Sequence, residues 1–244
     1  MRATIGRWTA RGFLLSMLLG SALISLMSLP YFDFETLPPF MIEKLPLRFE
    51  ALWLLALRIH VAAAALSFPL CLALMTRAVQ RRVRAHRIIG RISGVLVLFA
   101  LLPSGVVLAL SAKGGGVVTA GFLLSAAIVA FAMISGVRAA RRRDLLAHAR
   151  AMRHVLGQMS VAVVSRLMIV ALDALGMDPE FAYVAALWVP VLASIAVVEW
   201  LCRRPRPSSP NPVNLIERMT RETSPLAVVL RVRALAQPVA RDGR

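Results

Sequence analysis

Six apolar stretches of about 20 residues constrain this chain more than any other feature of its sequence. They fall near 12–30, 51–76, 89–111, 116–137, 155–176 and 181–201. A helix rises ~1.5 Å per residue, so about 20 apolar residues cross the ~30 Å hydrocarbon layer of a bilayer. A helix also satisfies its own backbone there, which an irregular or open segment does not. The expectation is an all-α, polytopic transmembrane bundle of about six spans. The first stretch, preceded by Arg2, Arg7 and Arg11, also has the outline of a signal peptide. Its apolar run is long for that role and no small-x-small cleavage site follows, so an uncleaved helix is expected.

Charge gives the orientation. The chain is 59% hydrophobic yet carries a formal net charge of +17, so its charge has to lie outside the apolar runs. Residues 77–91 hold Arg77, Arg81, Arg82, Arg84, Arg87 and Arg91 with no acid, and 138–153 hold six arginines against Asp144 alone. The alternate connections are acidic or short: Asp33, Glu35, Glu43 and Glu50 in one, a Gly-rich turn at Lys113, and Asp178 with Glu180. Basic segments remain on the cytoplasmic side, which predicts a bacterial inner-membrane protein with both termini in the cytoplasm. Arginine beside a span is explained by anionic headgroups, so the expected partners are the bilayer and anionic inner-leaflet lipids, not nucleic acid. A second copy or another membrane protein is a further candidate partner. Cys71 and Cys202 lie near cytoplasmic ends of spans, so no disulfide framework is expected.

Three regions follow: 1–50, an anchor span with an acidic outer loop; 51–202, a five-span core; and 203–244, a basic tail. The tail opens Arg203-Arg204-Pro205-Arg206-Pro207, which reads as a stiff, solvated linker. Residues 212–236 then read either as a surface helix on the inner leaflet or as a disordered basic segment. Gly90 and Gly94 form a Gly-x-x-x-Gly pair suited to close helix approach, and Pro69, Pro103 and Pro190 interrupt spans.

Charge within a span costs about 2.5–3.5 kcal/mol at its centre, so Arg58, His60 and Arg166 require a reason. His60 and Arg166 lie at similar depths, ~15 Å from the outer ends of their spans. Neutral imidazole accepts a hydrogen bond from guanidinium, Asp173 lies two turns from Arg166, and Arg58 is placed to snorkel outward. These four residues make a candidate intramembrane ligand site, or a clamp that fixes helix register. A second group lies at the inner face: His86, Arg87, Arg91, His148, Met152 and His154. His86 with His148 is a candidate bis-histidine pair for one haem b or a metal ion. Interfacial histidine beside arginine, needing no ligand, accounts for the same residues. Glu199 is expected to neutralise one of the nearby arginines.

The order His60, Pro69, His86-Arg87-x-x-Gly90-Arg91, Gly121-Phe122, His148-x-x-x-Met152 and Arg166 resembles the bacterial membrane family called domain of unknown function 2306. The resemblance covers roughly 56–200. Ala151 and His154 depart from the family's pattern, which has Trp and Arg there. It implies a multi-pass fold and a shared residue set, but no reaction. Signatures of familiar enzymes, such as His-Glu-x-x-His or a phosphate-binding Gly loop, are missing. Three readings remain: a small-molecule or lipid site for transport or sensing, a single-haem or haem-assembly protein, and a ligand-free scaffold.

Overall fold

The computed structural model describes residues 2–33, 42, 47 and 49–203, which form helices and, among them, no strand. Helix α1 runs Arg2–Met27 and leads into a 3-10 turn, Leu29–Phe32. Helix α2 is Glu50–Met75, and a short α3, Arg77–Arg81, precedes α4, Val83–Ala109. Helices α5 (Gly115–Arg141), α6 (Leu145–Ala174) and α7 (Pro179–Arg203) complete the bundle. Most of the acidic loop and nearly all of the basic tail expected from the sequence lie outside the described residues.

Five of these helices, α2 and α4 to α7, are long and apolar enough to cross a membrane. Between 22% and 39% of each apolar window is buried within the bundle. The rest of that surface faces outward, with Phe99 and Phe131 more than three-quarters exposed. Water disfavours so broad an apolar face, whereas acyl chains accept it. The apolar stretch of α1, Arg11–Met27, is shorter. At ~1.5 Å per residue it reaches about 26 Å, below the ~30 Å hydrocarbon thickness.

The helices outrun the expected spans at the Arg-rich end. Only Arg142, Arg143 and Asp144 separate α5 from α6, although the apolar windows stop at 137 and restart at 155. Arginine is a good helix former, so helix continues where hydropathy ends. Asp144 then caps α6, accepting the Ala147 N–H at 2.9 Å. At the opposite end Gly114, at φ 93°, and Gly176, at φ 69°, supply left-handed turns that side chains rarely adopt.

The main core lies toward the Arg-rich end, where Phe68, Cys71, Val97, Met133, Val155 and Met159 meet from α2, α4, α5 and α6. Toward the other end it divides into two smaller clusters, one on Trp53 and Leu57, the other on Val118, Val161, Leu187 and Val191. Polar bonding adds register. Gln158 on α6, 4% exposed, accepts from Ser125 Oγ of α5 at 2.8 Å. It donates to Val191 O and Ser194 Oγ of α7 at 3.2 and 2.8 Å.

One packing expectation is corrected. Gly90 and Gly94 do not mediate close approach, since a Cβ at either would meet nothing within 4 Å. Contact falls on other glycines: a Cβ at Gly121 would lie 2.8 Å from Leu187, and one at Gly157 3.3 Å from Val198. Spacing alone does not say which helix face meets a partner.

Two stability predictions follow from this packing. Gln158→Leu removes the acceptor of Ser125 Oγ and leaves Ser194 Oγ and the Val191 carbonyl only their mutual bond, which lowers stability by about 1–2 kcal/mol, read as a fall in Tm in detergent. Gly121→Val overpacks the α5–α7 contact at a cost of about 1–3 kcal/mol, whereas Gly94→Ala leaves Tm unchanged or higher.

Candidate functional site

The first polar group forms around a break in α4. Pro103 brings no N–H to the helical ladder, and the turn before it, Val97–Leu101, widens to a π-turn in which Leu102 N–H bonds to Val97 O. The carbonyls of this turn take side-chain donors. Ser104 Oγ donates to Ala100 O at 2.6 Å and to Leu101 O at 3.1 Å. His60 reaches across from α2, its Nδ1 3.1 Å from Leu101 O and 3.4 Å from Ser104 Oγ. A carbonyl only accepts, so Nδ1 carries the proton, and in the neutral ring Nε2 keeps its lone pair. Gly105 makes room for the imidazole, since a Cβ there would stand 3.1 Å from Cε1.

Arg166 does not bond to His60. Its Nη1 donates to Ala162 O of its own helix at 2.8 Å, and the residue is exposed on the outer face of α6. The guanidinium nonetheless lies within electrostatic range of His60, Tyr31 and Tyr183. Asp173 is exposed and forms no ion pair with Arg166 among the described residues. Arg58 donates to Tyr31 O at 3.1 Å and to Asp33 O at 3.3 Å, tying the 3-10 turn after α1 to α2.

At the Arg-rich end the second set of candidate residues does not stay together. His86 of α4 and His148 of α6 face each other with ring centroids 6.3 Å apart and planes at 80°. Nδ1 of His148 donates to Gly136 O of α5 at 2.9 Å, and Met152 packs beside the same glycine. Nδ1 of His86 is buried without a partner. His154 turns toward α7 instead, where its Nε2 stands 2.9 Å from Glu199 Oε1. Arg150 binds the same carboxylate through both oxygens, at 3.3 and 2.5 Å, so Glu199 takes the neutralising role expected of it. Arg87 and Arg91 are exposed and form no ion pair among the described residues. No group of three or more His, Cys, Asp or Glu side chains suited to a metal ion occurs among the described residues.

Attention to charge and imidazole overlooked Gln158 and the two tyrosines. An amide in a long apolar run was the available signal for Gln158, because a polar group there needs partners on other helices. Nothing in the spacing pointed to Tyr31 or Tyr183, which approach Arg166 only through tertiary structure.

No curated protein and no solved structure matches the chain. A family model described as "Predicted membrane protein (DUF2306)" matches residues 57–202, from α2 to the end of α7. The matched segment carries His60, His86, His148, His154 and Arg166, and by it the chain belongs to the DUF2306 family of predicted membrane proteins.

Proposed function

We propose that this protein is an inner-membrane protein that holds an amphiphile with an anionic head against Arg166 and His60, in a transport or sensing role. The observation that carries the reading is Arg166 itself. It stands within an apolar 30-residue helix, and no carboxylate among the described residues pairs with it. An uncompensated cation in a span costs about 2.5–3.5 kcal/mol on the insertion scale, a cost that an anionic partner offsets. Leu167 and Val170 beside it are exposed, which suits lateral access from the bilayer and a ligand with an apolar tail. His60 contributes an Nε2 with no partner among the described residues, held in orientation by the Leu101 carbonyl. Tyr31 and Tyr183 supply hydroxyls within range of the same charge.

The same proposal counts α1 as a sixth span and sets both chain ends in the cytoplasm, on the strength of the arginine distribution. A green fluorescent protein fused to the C-terminus is then fluorescent, and an alkaline phosphatase fused there is inactive. The reverse pattern would overturn the orientation.

Native mass spectrometry of the detergent-solubilised chain, titrated with short-chain phosphatidylglycerol and separately with decanoate, tests the site. At least one probe is retained in preference to phosphatidylcholine. Arg166→Gln weakens that retention at least tenfold, and His60→Asn weakens it less. Arg87→Gln, a matched loss of charge at the Arg-rich end, leaves it unchanged. Equal retention by wild type and Arg166→Gln, with both proteins eluting as folded species, would overturn the reading.

A further inference from the structure

A second and independent site lies at the Arg-rich end. We propose that the space between His86 and His148 takes one b-type haem, ligated axially by the two imidazoles and seated on the glycine face of α4. Two imidazoles sharing one metal on opposite sides, each with a metal–nitrogen bond of about 2.0–2.1 Å, have ring centroids about 6–6.5 Å apart. The observed separation is 6.3 Å. The two rings meet across α4 and α6, whose backbones are not in broad contact.

The bonding around each ring points the same way. His148 donates its Nδ1 proton to the Gly136 carbonyl, which leaves the Nε2 lone pair for a ligand. This is the outer contact by which metal-ligating histidines are commonly oriented. His86 has no side-chain hydrogen bond among the described residues, and its Nδ1 is buried. An orphaned buried nitrogen calls for a missing partner.

Shape distinguishes a haem from a bare metal ion. Two histidines alone are a sparse ligand set, and no third His, Cys, Asp or Glu joins them among the described residues. A tetrapyrrole brings four nitrogens of its own, so two protein ligands complete its iron. A flat ring also needs a flat wall. Gly90 and Gly94 continue the His86 face at i+4 and i+8, and open space stands where their side chains would be. The exposed Arg87 and Arg91 flank this face and suit carboxylate groups such as haem propionates. With cysteines only at 71 and 202, there is no Cys-x-x-Cys-His attachment sequence, so the group is held without a covalent link.

The test uses the full chain, expressed with added 5-aminolaevulinic acid and purified in detergent. We expect a dithionite-reduced minus oxidised spectrum with the narrow α band of a six-coordinate b haem, and about one haem per chain by pyridine haemochrome assay. His86→Ala and His148→Ala each abolish the band, while His154→Ala and His60→Ala retain it. Gly94→Leu guards against loss through misfolding: its side chain enters open space, so the protein keeps its Tm and loses at least nine-tenths of its haem. A folded wild-type protein without haem would overturn the proposal, as would a band surviving in the His86→Ala, His148→Ala double variant. Stoichiometric zinc or copper in place of haem would also overturn it. These readouts are separate from lipid retention at Arg166, so either site stands or falls alone.

Discussion

In hydrocarbon no solvent stands ready to take an unpaired N–H or C=O, and each one left open costs several kcal/mol. Long uninterrupted helices joined by short turns answer that demand over most of the chain. Pro103 is the place where the answer is incomplete, because it removes a donor from the ladder in the middle of α4. Side chains gather at the carbonyls beside this break: Ser104 of the same helix donates to Ala100 O and Leu101 O, and His60 of α2 reaches Leu101 O. The Leu101 carbonyl thereby holds the imidazole in place and fixes its tautomer.

The opposite half follows a different rule. Arg150 and His154 share one carboxylate at the bundle end, where water and headgroups are close and a charge network costs little. His86 and His148 lie apart from that network, joined to no acid among the described residues. A cluster that looked single in the sequence is thus two groups with different surroundings. One is an ion pair between α6 and α7, the other an imidazole pair between α4 and α6.

Much of the fold was legible because its cause is one-dimensional. Runs of apolar residues set helix order, and five of the six expected spans recur as helices long and apolar enough to cross a membrane. Helix ends were less legible, since hydropathy reports the hydrocarbon boundary while Arg138, Arg141 and Leu145 remain helical beyond it. Contacts between helices were the least legible. Gly90-x-x-x-Gly94 has the spacing of a packing motif but faces open space, whereas Gly121, with no such pattern around it, touches Leu187. Depth arithmetic brought His60 and Arg166 to similar levels, yet rotation about α6 turns the guanidinium to its own Ala162 carbonyl. Which way a helix faces depends on all of its neighbours at once.

Gln158 has a consequence for how such a bundle can move. Its amide oxygen is committed to α5 and its amide nitrogen to α7, so the two ends of one side chain cannot exchange roles without breaking both contacts. Sliding any of these three helices by a turn would strand several polar atoms at once. They therefore behave mechanically as one stator. Relative motion within the bundle is left to α1, α2 and α4, whose grip on that stator is mainly apolar and yields in small steps.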